Sequence, residues 1–159
     1  MFQAEMFSKA FKDQRYLGNG CMASVTAIGT TGWVHKYARD RDGTCNYLEW
    51  CIAETAAGRK MAAMPEIDFL VHTEEGYIVI MRQYTAWHGR TSPLRDDDVK
   101  ECVNAYTAYM TETFGSGWYA ADVHTGNVMT RADGTSVLTD PCVAGYKSVN
   151  ATPAEFTLQ

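Results

Sequence analysis

Three oxygen-bearing side chains stand close together in the C-terminal third of the sequence: Asp122, Asn127 and Asp140, in the stretch DVHTGNVMTRADGTSVLTDP (residues 122–141). Carboxylate and amide oxygens are hard ligands of the kind magnesium accepts. An aspartate can also take a hydrogen bond from an attacking hydroxyl. Together these groups suit phosphoryl transfer, in which a protein does little covalent chemistry. It holds a metal against the phosphates, orients the acceptor and offsets charge. Asp122 is the candidate hydroxyl-orienting base, and Asn127 and Asp140 are the candidate metal ligands. Singly, each residue has an ordinary reading as a turn or strand-end residue. Their joint spacing carries the signal.

Two N-terminal segments add to it. LGNGCMASV (residues 17–25) places Gly18 and Gly20 in a G-x-G turn between strands, where backbone amides can approach phosphate oxygens. A G-x-G alone equally marks a plain hairpin. This one has Ala23 where a third glycine would stand, and strands rather than a helix should follow, so it is not the dinucleotide fingerprint. WVHK (residues 33–36) ends an apolar strand on Lys36, whose ammonium could reach α- and β-phosphates. The same pattern also describes an edge-strand lysine. A lysine in that role is oriented by a helix glutamate. Glu49 and Glu54 are both available, with Glu49 preferred because it neighbours the helix's apolar side through Leu48 and Ile52.

The elements that must position these groups are legible from patterning. Residues 2–12 fit a short helix carrying Phe2, Met6 and Phe11. The β-branched residues and glycine turns of residues 16–38 read as two or three strands, with Gly32 turning into Trp33–Tyr37. A helix over about 47–58, capped by Thr44 or Asn46 and stopped by Gly58, aligns Tyr47, Leu48, Cys51, Ile52 and Thr55. Ile67–His72 and Tyr77–Met81 read as strands and residues 85–95 as a loop. Asp96–Asp98 open a helix whose buried stripe is Val99, Cys102, Val103, Tyr106 and Met110. Asn127–Thr130 and Ser136–Thr139 form a hairpin around residues 132–134, and the tail from Ala144 has little periodicity. Segregated strands and helices predict an α+β architecture.

Bulk properties narrow the classes. The 159-residue chain is one domain's worth, 46% hydrophobic and 21% charged, as in a soluble globular protein. Its formal net charge of −5 argues against a direct nucleic-acid partner. No membrane span or signal peptide is expected. The five cysteines are scattered without a C-x-x-C pair and read as reduced, mostly packed thiols, which suits the cytoplasm, with a zinc site or a disulfide framework as the minor alternative.

In order along the chain, the glycine turn, strand lysine, helix glutamate, Asp122, Asn127 and Asp140 resemble the protein-kinase superfamily. Ala120-Ala121 and Asp140-Pro141 depart from the eukaryotic motifs, and the D-x-H-x-G-N form is closer to aminoglycoside-phosphotransferase-like kinases. More narrowly, LGNGCMASV, VHK, EGYIVIM and DVHTGNVM with LTDP resemble the kinase domain of the early serine/threonine protein kinases of T7-like phages, over roughly residues 15–148.

The resemblance implies a minimal protein-kinase-like fold in a single domain over 1–159. An antiparallel N-lobe sheet with one helix would occupy about 13–84, and a strongly truncated C-lobe about 85–159. It implies ATP and Mg2+ as cofactors and transfer of the γ-phosphate to host proteins during early infection, in the host cytoplasm. Transcription or RNA-processing machinery would be the partners. It also implies that His124 either contacts the transferred group or makes a structural hydrogen bond within its loop. Gln83 and Tyr84 would lie where a hinge binds adenine through backbone groups. Nineteen residues follow Asp140 in the chain. The substrate platform would therefore come from a homodimer partner, the target or an unusual tail. An alternative is a kinase-like binding protein that inhibits a host transcription or defence factor with little or no catalysis, anchored by aromatics such as Trp87, Trp118 and Tyr119. A small-molecule kinase is a third, weaker option.

Overall fold

The computed structural model describes residues 14–19, 23–39, 43–89, 91–115 and 117–145. Residues 2–12 and Gly20 lie outside them. The chain divides into two compact units, Met1–Asp40 with Glu66–Gln83, and Arg41–Pro65 with Tyr84–Gln159. Strands and helices segregate, and the architecture is α+β as patterning predicts.

The first unit is a five-stranded antiparallel sheet. Strands β1 (Gln14–Asn19), β2 (Ala23–Ile28), β3 (Trp33–Ala38), β4 (Ile67–His72) and β5 (Tyr77–Arg82) pair in the order β1-β2-β3-β5-β4. Strand β3 is central and alternates: Val34, Lys36 and Ala38 are buried, while Trp33, His35 and Tyr37 are half-buried. That period of two is the signature of one face packed more tightly than the other. Strand β5 buries Tyr77, Val79, Ile80 and Met81 and so is covered on both faces. At the edge, β4 leaves Phe69 and Val71 exposed. Arg82 stacks its guanidinium 4.4 Å from the Trp33 ring centre and pairs with Glu66 at 3.3 Å.

The second unit is built on two helices, α1 (Thr44–Ala56) and α2 (Asp97–Phe114). Helix α1 begins three residues before the expected start. Gly43 supplies the left-handed cap at φ 74°, and no side chain caps the helix. Thr44 and Asn46 are therefore inside the helix rather than caps. Its buried face also differs from expectation: Tyr47, Leu48, Trp50 and Cys51 are buried, whereas Ile52 is 39% exposed and Thr55 is exposed. The packed surface is confined to the first two turns, where α2 supplies its aromatics. Tyr106 meets Tyr47 edge-on at 5.0 Å and Trp50 at 5.1 Å, and Tyr109 stacks on Trp50 at 6.2 Å. Such pairs add ~0.5–1.5 kcal/mol each beyond area burial. Gly58 follows the last turn as expected, its N–H bonded to Thr55 O.

Helix α2 matches its predicted stripe closely. Asp96 caps it through Val99 N–H at 3.1 Å, and Val99, Cys102, Tyr106 and Met110 are buried, with Val103 half-buried. The expected loop 85–95 contains a two-residue strand β6 (Thr85–Ala86) and a 3-10 turn (Pro93–Arg95). Four short strands follow: β7 (Trp118–Ala121), β8 (Val128–Thr130), β9 (Ser136–Leu138) and β10 (Cys142–Gly145). They form a three-stranded sheet β6-β8-β9 and a two-stranded sheet β10-β7. Among the described residues, no helix is long and apolar enough to cross a membrane.

Candidate functional site

Two strand pairings bring Asp122, Asn127 and Asp140 together in the second unit. In the first, Val128 faces Leu138 across β8 and β9. The ladder continues one step, because the Thr139 N–H and hydroxyl both donate to Asn127 O at 2.9 and 3.0 Å. That register carries half-buried Asp140 to the level of Gly126. In the second pairing, Cys142 faces Ala121 across β10 and β7, which carries Pro141 to the level of Asp122. Two independent registers thus deliver the three residues to one end of their sheets.

The loop joining β7 to β8 is tightly wound. Asn127 and Val128 N–H groups both bond to His124 O, at 3.0 and 3.1 Å. Asp122 has φ 58°, the one positive φ of a non-glycine among the described residues. A left-handed conformation costs a non-glycine residue ~1–3 kcal/mol and persists where its surroundings enforce it. Asn127 does the enforcing: its Nδ2 donates to Asp122 O at 2.8 Å and to Asp122 Oδ2 at 3.0 Å. Only an N–H donor is stable against two oxygens, so the amide orientation is forced. Both amide hydrogens are committed to Asp122, and Asn127 Oδ1 is the atom left for a ligand.

His124 is committed within the loop as well. Its Nδ1 accepts the Gly126 N–H at 2.9 Å, and its Nε2 lies 3.3 Å from Asp122 Oδ1 and 3.2 Å from Asn127 Nδ2. Of the two roles the sequence leaves open, the structure supports the hydrogen bond inside the loop. Gly126 leaves room for the ring in this position: a Cβ there would lie 2.7 Å from His124 Cε1, and the ring would have to shift.

Packing beneath the site braces the strand that carries Asp140. Tyr47 OH donates to Leu138 O at 2.9 Å, Leu138 N–H to Ala63 O at 2.9 Å, and Thr44 Oγ1 to Pro141 O at 3.3 Å. Arg131 donates to Ser136 O at 3.0 Å and Met64 O at 2.7 Å, and Ser136 Oγ donates to Asp96 Oδ2. Patterning found Tyr47 as a helix residue and Thr44 as a candidate cap but carried no signal for these long-range bonds. Burial, and then mutual repulsion with its two cysteine neighbours, pushes the Tyr47 phenol well up. Burial likewise raises the Cys51 thiol and takes Cys102 to about 11. Thiols this deep and this weakly acidic are packing groups, as the sequence suggests for Cys45, Cys51 and Cys102.

In the first unit, Lys36 is 6% exposed on the buried face of the central strand, so it is not an edge-strand lysine. Its neighbours are Val25 on β2 and Val79 on β5, and its Nζ lies 5.9 Å from the Tyr77 ring centre. Gly18 faces Val25, and Val25 faces Lys36, so glycine and lysine share one row, two strand spacings or about 10 Å apart. A bulge between Tyr16 and Gly18 sets this register.

The remaining predicted residues fall as follows. Glu54 is held by Arg59 through two 2.7 Å bonds, which lower its carboxyl; Glu49 is half-buried on α1. Gln83 is exposed, and its N–H is already bonded to Gly32 O at 2.9 Å. Tyr84 is half-buried, with the Arg131 guanidinium 6.0 Å from its ring centre. Trp87 and Trp118 are half-buried, and Tyr119 is 43% exposed. Compared with known proteins, the chain matches no family model and no curated protein.

Proposed function

We propose that this protein is an ATP-dependent phosphotransferase with a minimal kinase-like fold, which passes the γ-phosphate of ATP to a serine or threonine hydroxyl of another protein. The observation that carries the reading is the convergence of Asp122, Asn127 and Asp140 through two separate strand registers. The donor set fits magnesium. Asn127 Oδ1 is left over after both amide hydrogens are used, and Asp140 adds a second hard oxygen group. When bound, Mg2+ would offset the charge of the phosphate oxygens.

The chain's own residues do the rest. The Asp122 carboxylate, 54% exposed, accepts the hydrogen bond of the acceptor hydroxyl and takes its proton as the oxygen attacks phosphorus. Lys36 supplies positive charge to the phosphates, and Gly18, in the same row, leaves backbone room beside it. Glu49 carries over as the candidate to orient the lysine, as the resemblance to kinases implies. The resemblance to early phage kinases extends the reading to a host protein substrate in the host cytoplasm. Transfer of labelled γ-phosphate to a host extract tests it: wild type labels protein, and Asp122→Ala and Asp140→Ala do not. Equal labelling by wild type and Asp122→Ala would remove the assigned role.

A further inference from the structure

The proton positions in the loop from Asp122 to Asn127 can be worked out from hydrogen-bond capacity alone. A backbone N–H can only donate, so the Gly126 N–H at 2.9 Å makes His124 Nδ1 an acceptor. A neutral imidazole has one donor and one acceptor, so its proton sits on Nε2. Asn127 Nδ2, 3.2 Å from Nε2, is also a donor and already serves two oxygens of Asp122. Asp122 Oδ1 lies 3.3 Å from Nε2, a close polar contact that is not aligned as a hydrogen bond. One carboxylate oxygen of Asp122 therefore faces His124, and the other receives Asn127.

We propose that His124 is a positioning residue, its tautomer fixed by the Gly126 N–H so that the polar Nε2–H edge of the ring faces the Asp122 carboxylate at Oδ1. This rests on Asp122 being the base of the proposed reaction. It assigns His124 no contact with phosphate. The Asn127 bond to Oδ2 and the ring beside Oδ1 together limit the rotation of a side chain whose backbone is already left-handed. Each oxygen keeps a further lone pair for the substrate hydroxyl. The glycine at 126 serves the same end, because a side chain there would displace the ring.

Two measurements on the full chain test this. Long-range nitrogen–proton correlation spectra of the nucleotide-free protein should show neutral His124 with pyrrole-like Nε2 and pyridine-like Nδ1. Asp122→Ala should move the Nε2 resonance. A ring protonated on Nδ1, or an Nε2 signal indifferent to Asp122, overturns the proposal. In steady-state phosphoryl transfer, His124→Ala should lower kcat ~10- to 100-fold, as expected for a misplaced catalytic group, with KM for ATP unchanged. His124→Gln, whose Nε2 can stand where the ring's Nε2 stands, should recover most of that loss. Equal loss in the Ala and Gln variants, or a raised KM for ATP with kcat intact, contradicts positioning. If wild type transfers no phosphate, the functional reading fails, while the tautomer and its response to Asp122→Ala still decide whether His124 holds Asp122.

Discussion

Asp122 combines a backbone conformation that disfavours side chains with a carboxylate whose two oxygens face His124 and Asn127. Strain of this kind persists where function needs the group more than stability does. Asp122→Gly should therefore be at least as stable as wild type, by up to ~1 kcal/mol, because relief of the left-handed strain offsets two exposed contacts. It should also lose phosphoryl transfer. Urea midpoints and labelled-phosphate assays of the same preparation check both halves. At this scale the sequence was informative about residue types and spacing. The roles of Asn127 and Gly126 as mutual supports of Asp122 and His124 depend on distances that spacing does not encode.

Lys36 shows the same limit from the other side. The pattern WVHK identified a strand-ending lysine but could not tell an edge from the centre of a sheet, because strand order is set by pairings far apart in sequence. Its place on the buried face of β3 is unusual for a lysine, a residue type seldom buried unless paired. Lys36→Met, which keeps the length of the side chain on that face, should still fold cooperatively and should abolish ATP binding. Thermal melts and calorimetric titration read the two effects separately.

Among the elements, α1 and β9 act as one support. Tyr47 reaches from the helix to Leu138 O, two residues before Asp140, and its hydroxyl lies 3.5 Å from Cys102 Sγ on α2. Tyr47→Phe leaves a buried carbonyl without that donor and should cost ~1–2 kcal/mol, seen as a lower urea midpoint. The same cluster sets an alkaline limit. Tyr47, Cys51 and Cys102 are acids whose folded-state values are raised by burial, so the folded state holds their protons more tightly than the unfolded chain. The stability they contribute is complete below the ordinary thiol range near 9 and declines as pH climbs toward about 11. Urea midpoints should fall steadily between those values, and Cys102→Ser should flatten the decline.

Helix α2 was legible in full, because its stripe at three- and four-residue spacing coincides with an aspartate cap. Helix α1 was displaced by three residues because a glycine, not a side chain, begins it. Its apolar residues outnumber those it buries, since its aromatic partners on α2 reach only its first two turns. The short strand β10 had no periodic signal: its place comes from pairing with β7, not from its own four residues.

For the molecule as a whole, composition and segregation of elements sufficed to read an α+β protein of acidic balance. Chain order alone did not show that residues 41–65, with α1, would fall in a unit with the C-terminal strands. That assignment follows from the aromatic packing of Tyr47 and Trp50 on Tyr106. The central claim is that Asn127 and Asp140 hold the magnesium of a bound ATP. Calorimetric titration of ATP into the full chain, with and without Mg2+, tests it most directly. Wild type should bind ATP in a magnesium-dependent manner, Asp140→Ala should lose the dependence on the metal, and Lys36→Met should lose binding in either condition. Absent binding by wild type, or binding indifferent to magnesium and to Asp140, would contradict the account and favour a kinase-like binding protein without catalysis.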